Sequence, residues 1–138
     1  MNILLAPDIY VNASVAMGTP PEAVVQRVLG KHKGESKTSE WILGRVHQML
    51  AALPEFKEDA VDSQIELIRG LVQVVDVNDD FDATNWEAAL VATAKQADVK
   101  RVLTDHPDLL EKKSAEGVEF VASETWLKEV ATPPPVPK

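Results

Sequence analysis

The chain has no cysteine, which excludes disulfide frameworks and thiolate metal sites and fits a reducing compartment. Cations are scarce: 14 Lys and Arg stand against 22 Asp and Glu, for a formal charge of -8. A protein of that sign repels phosphate backbones unless metal ions or a local basic patch intervene. Long apolar runs are also missing. The opening segment has no positive n-region and reaches Asp8 before a signal-length run accumulates, and no later stretch approaches transmembrane length. A cytoplasmic protein with no membrane partner is therefore expected. Walker loops, dinucleotide fingerprints, Gly-x-Ser-x-Gly elbows, zinc spacings and internal repeats are absent. At 138 residues there is room for one domain and not for a second, so every functional group must sit on a single fold.

What is present is a sequence of strand and helix patterns. Asn2 to Ala6 is a short apolar run of the kind a buried parallel strand shows, and it ends at Pro7 and Asp8. Thr19-Pro-Pro-Glu22 has capping-box spacing, which predicts a helix from about Pro20 to Leu29 that stops at Gly30. Lys31 to Lys37 reads as a polar loop. From Ser39 onward, Ile42, Val46, Met49, Leu50 and Leu53 recur at helical spacing behind a Thr38 or Ser39 cap, and Pro54 ends the run. Val61, Ile65 and Ile68 mark another helix that ends near Gly70. Leu71 to Val77 reads as a strand, Thr84 to Ala97 as a helix, and Val102-Leu103 and Val118 to Ala122 as two more strands. Pro107 opens a short helix after the first of these strands, and Ser123 caps the last helix. The alternation implies an α/β fold, a three-layer α/β/α sandwich around a mostly parallel sheet of four or five strands. The domain covers 1–131, and the proline-rich residues 132–138 form a tail that cannot join a ladder.

Open α/β sheets place their chemistry at the carboxyl ends of strands, which directs attention to Asp8 and to the turn holding Asp105, His106 and Asp108. The arrangement resembles a PIN-like domain, the fold of VapC-type toxin ribonucleases, over nearly the whole chain to about Val130. Leu5-Ala-Pro-Asp8-Ile-Tyr-Val11 is similar to the family's opening strand and aspartate, although Ile9 and Tyr10 replace the usual polar pair. Ser39-Glu-Trp-Ile-Leu-Gly-Arg45-Val46 is similar to the second motif, with Arg45 where the family has an acid. Glu87-Ala-Ala-Leu-Val-Ala-Thr-Ala94 resembles the third, with Glu for Asp. Leu103-Thr-Asp-His-Pro-Asp-Leu-Leu110 resembles the last, with His106 at the acid position and Asp108 at the aspartate that follows.

The resemblance implies hydrolysis of RNA assisted by Mg2+ or Mn2+, held by carboxylates that would here be Asp8, Glu87, Asp105 and Asp108. It also implies a homodimer and an antitoxin-like or regulatory protein partner. Arg45 alters that site by removing an oxygen ligand and adding a like charge to the cation, and His106 is a poor Mg2+ ligand. The expected function is thus a non-catalytic interaction or regulatory module with a degraded nuclease site and no cofactor. The alternative is an active metal-dependent endoribonuclease of toxin-antitoxin type, with RNA as its partner.

Each residue also has a plainer role. Asp8 can open a turn, Glu87 can be a first-turn acid favoured by the helix dipole, and Asp105 can cap the helix opened by Pro107. His106 can be a turn residue. Arg45 either pairs with Asp8 or Glu87, filling the place of a metal, or is a solvated flank residue. Asp79, Asp80 and Asp82 lack the glycine and distal glutamate of an EF-hand and read as a solvated loop. Arg27, Lys31, His32, Lys33 and Lys37 read as an exposed charge run, and Trp41, off its helix's apolar stripe, as a candidate interface residue.

Overall fold

The structure, a computed structural model, describes residues 3–31, 36–77 and 81–131. The basic residues His32 and Lys33, the acids Asp79 and Asp80, and the tail 132–138 lie outside them. Strand β1 is Ile3–Leu5, followed by α1 (Pro7–Val15), α2 (Pro20–Gln26), a π-helical turn (Arg27–Lys31), β2 (Lys37–Ser39), α3 (Glu40–Ala51) and α4 (Glu58–Leu71). The second half runs β3 (Gln73–Val75), α5 (Trp86–Ala97), β4 (Arg101–Leu103), α6 (Pro107–Lys112), β5 (Ser114–Ala115), β6 (Val118–Val121) and α7 (Ser123–Ala131).

These elements make an α/β fold with a six-stranded sheet in the order β3-β2-β1-β4-β6-β5. All neighbouring pairs are parallel except β5 with β6. The expected four or five strands are therefore one or two short. β2 starts on the last residue of what reads as a polar loop and takes in the Thr38 and Ser39 that read as a helix cap, and β5 is a two-residue edge strand behind the positive-φ residue Lys113. β2 escapes a hydropathy reading because its side chains divide between faces. Thr38 is fully buried, while Lys37 donates to the carbonyl of Ala97 at 2.9 Å.

β1 is buried along its whole length because it is the central strand, flanked by β2 and β4. The apolar run does not break at Pro7 but turns into α1. Proline at the first helical position loses no helical hydrogen bond, and Ile9, Tyr10 and Val11 carry burial onward. α3 buries Ile42, Leu43, Val46 and Leu50, capped by Ser39 Oγ, which accepts from Ile42 N. α4 buries Val61, Ile65 and Ile68 and runs one residue past Gly70, so the strand that follows is shorter than the Leu71 to Val77 pattern. α5 buries Ala89 to Ala94 and Ala97 and leaves Lys95 and Gln96 exposed; its alanines let it lie close to β2, β3, β4 and β6. It ends at Asp98 in the left-handed conformation, which Asp tolerates better than most residues. Among the described residues no helix is long and apolar enough to cross a membrane.

Candidate functional site

In the order β3-β2-β1-β4-β6, the chain leaves β1 toward β2 and later returns to β4 on the other side. The crevice between the carboxyl ends of β1 and β4 is thus the switch point where open α/β sheets bind ligands. The register pairs Leu5 with Leu103, and the ladder continues as Ala6 N donates to Leu103 O at 3.0 Å. Asp8, in the first turn of α1, therefore faces the residues that follow β4.

Its carboxylate is bound on both oxygens. The Thr104 hydroxyl donates to Oδ1 at 2.9 Å and the Asp105 backbone N–H donates to Oδ2 at 2.7 Å. Asp8 is 9% exposed, and Thr104 is fully buried and also accepts from His106 N at 3.1 Å. Burial pushes the Asp8 pKa above the ordinary carboxylate value. The two hydrogen bonds oppose that rise, and the nearby Asp105 charge adds to it.

Asp105 faces the next strand-helix junction. It accepts from Ser123 N at 2.9 Å and from Ser123 Oγ at 2.7 Å, capping α7 from a neighbouring loop. The cap expected of Asp105 on α6 is supplied instead by His106, whose Nδ1 accepts from Asp108 N at 3.3 Å.

The remaining residues line a separate outer cleft of about 500 Å³, walled by Asp82, Trp86, Glu87, His106 and Asp108. Glu87 Oε1 and Oε2 accept from Lys112 Nζ at 2.7 and 2.8 Å. The His106 ring lies 5.6 Å from Trp86, and Trp86 meets Trp41 edge-on at 5.8 Å. Trp41 is therefore half-buried against another tryptophan.

Arg45 is bound elsewhere than beside Asp8 or Glu87. Its guanidinium sits 5.4 Å over the Trp41 ring, donates from Nη2 to Ala83 O at 2.7 Å and reaches Gln48 Oε1 from Nη1 at 3.2 Å. The same Ala83 carbonyl accepts from Trp41 Nε1 at 2.8 Å. Arg45 thus pins the loop before α5 to α3.

The four expected acids divide into an inner pair, Asp8 and Asp105, and an outer pair, Glu87 and Asp108. Among the described residues no three His, Asp or Glu side chains converge to hold a metal ion. The oxygens of Asp8, Asp105 and Glu87 are engaged by hydroxyl, amide and ammonium donors, an arrangement that does not fit a hard cation's oxygen cage. Thr104, Ser123 and Lys112 carry this network. Thr104 is detectable in sequence only through register, as the strand-end hydroxyl beside Asp105; Lys112 has no sequence signal of its own. No protein-family model, no curated protein and no solved structure matches the chain.

Proposed function

We propose that the chain is a PIN-like domain of three-layer α/β/α form that has lost RNA hydrolysis and works as a non-catalytic interaction or regulatory module in the cytoplasm. The observation that carries this reading is the closed hydrogen-bonding of Asp8. A hard cation would have to displace two short hydrogen bonds from a nearly buried carboxylate before gaining its first ligand. Lys112 on Glu87 and Arg45 in place of an acid support the same reading. So does the charge of -8, which disfavours an RNA backbone. The partner would be a second copy or an antitoxin-like or regulatory protein.

The alternative, a Mg2+ or Mn2+ dependent endoribonuclease, draws on one observation. The Asp105 charge lies close enough to Asp8 to raise its pKa, a repulsion that a cation would relieve. RNA cleavage in Mn2+ separates the two. The module reading expects the same background with the unmodified protein as with Asp8→Asn, together with no rise in melting temperature on adding metal. Mn2+-dependent cleavage that Asp8→Asn abolishes would overturn it. A concentration-independent monomer mass in sedimentation would remove the homodimer.

A further inference from the structure

Away from the sheet's carboxyl edge, α1, α2, the π-helical turn and α4 enclose a cavity of about 600 Å³, within the usual range for small-molecule sites. Val25, Leu29, Leu67, Ile68 and Leu71 give it apolar walls, and Tyr10, 2% exposed, lies at its base. Leu67 is 57% exposed, one of three large apolar side chains so exposed among the described residues; the other two, Val15 and Met17, follow the lining residue Ser14 in sequence. π-helical turns, such as the one bordering this cavity, recur at functional sites.

The polar groups of the lining are few. Ser14, Gln26 and Gln64 are neutral, and Gln64 Nε2 is already donated to Ser14 Oγ at 3.2 Å. Burial raises the Tyr10 hydroxyl well above the ordinary phenol range, so the base of the cavity carries no charge. Glu22 is the one charged side chain lining the cavity among the described residues. Its Oε1 is fixed by the Gly18 N–H at 2.9 Å. Apolar walls with a single oriented carboxylate complement one kind of occupant, an apolar body ending in a cation.

We propose that this cavity binds a small amphipathic cation, with the alkyl or aryl body against α2 and α4 and a protonated amine at Glu22. The site is independent of the Asp8 region and stands whether or not the chain is a nuclease.

The test titrates n-decylammonium and n-decanoate, each below its micelle concentration, and n-decanol, below its solubility limit, into the full chain. Calorimetry and backbone amide chemical shifts supply the readout. Decylammonium should saturate at one equivalent, moving amides of α1, α2, the π-helical turn and α4 only, and decanoate should bind at least about tenfold more weakly. Glu22→Gln should level the two. Ala13→Phe, which fills the cavity, should abolish binding of all three, and Leu67→Gln, at an exposed position, should weaken it even if the filled variant fails to fold. Absence of saturable decylammonium binding, equal affinity for both head groups, or shifts outside these helices would overturn the proposal. It would also fall if the unmodified chain formed a dimer that Leu67→Gln dissolves, because the apolar face would then belong to a second copy.

Discussion

Removing the Asp8 side chain tests whether the carboxylate acts as a structural clasp between β1 and β4. In Asp8→Ala a buried donor, the Thr104 hydroxyl, and a part-buried one, the Asp105 N–H, lose their acceptor. Each orphaned donor costs about 1–3 kcal/mol. Part of that is offset because the variant no longer buries a charge, leaving a net loss of about 2–3 kcal/mol. For a chain of this length that is a fall of roughly 10 °C in melting temperature. Asp8→Asn should behave differently: its carbonyl can still accept from Asp105 N, its amide can donate to Thr104 Oγ1, and stability should stay within about 1 kcal/mol of the unmodified chain.

The pH dependence has a definite sign. The folded Asp8 pKa lies above the unfolded value of 3.8, so the folded state holds this proton where the unfolded chain has released it. The stability of the unmodified protein relative to Asp8→Asn is therefore greatest below 3.8 and declines as pH rises through the folded value. The depressed exposed acids Glu40, Asp82 and Glu116 are common to both proteins and cancel in the difference. Urea unfolding monitored by circular dichroism from pH 3.5 to 8 reads all three chains. The clasp is refuted if Asp8→Ala matches the unmodified stability, if Asp8→Asn is as damaging as Asp8→Ala, or if the relative stability rises with pH.

Two more substitutions probe the neighbouring contacts. Asp105→Ala should cost about 1–2 kcal/mol by uncapping α7, with faster amide exchange confined mainly to Ser123–Ala131; uniform loss of protection across the sheet would contradict the assignment. Arg45→Gln should release the loop at Ala83, cost roughly 1 kcal/mol, and alter tryptophan fluorescence through Trp41 and Trp86 while leaving the Asp8-dependent pH profile unchanged; a shifted profile would place Arg45 in electrical contact with Asp8 after all.

The sequence made some parts of this molecule legible and hid others for physical reasons. Helical spacing of Ile42, Val46 and Leu50 exposes α3 because one face alone is buried, and the β-branched runs expose β4 and β6 because burial leaves them nearly all apolar. Pro7 looks like a stop, yet proline is as compatible with a helix's first turn as with a break, so α1 stays hidden. β2 becomes a strand only because β1 and β3 lie on either side of it, information carried by residues far away in sequence. Asp8, Asp105 and Asp108 could be located at strand ends from local pattern. Which donors hold Asp8, Asp105 and Glu87 could not, because Thr104, Ser123 and Lys112 reach them through the tertiary fold. Arg45 shows the same limit: a position in a motif fixes where its Cα lies on a helix, but the long side chain swings to the Ala83 carbonyl of the loop before α5 and to the Trp41 ring of its own helix.

The central place of β1 governs how the molecule assembles. It alone joins the β2-β3 half of the sheet to β4, β6 and β5, and its pairing with Arg101–Leu103 closes a loop of roughly a hundred residues, a long entropic excursion that no local contact shortens. Folding should accordingly be slow for the domain's size, with its rate sensitive to substitutions in Leu4 and Val102 that weaken this closure. Among the described residues β1 is the strand link between the halves, and α5, packed on β2, β3, β4 and β6, spans the same junction, so each half depends on both. Unfolding should therefore proceed as one cooperative event, without a stable half-sheet intermediate.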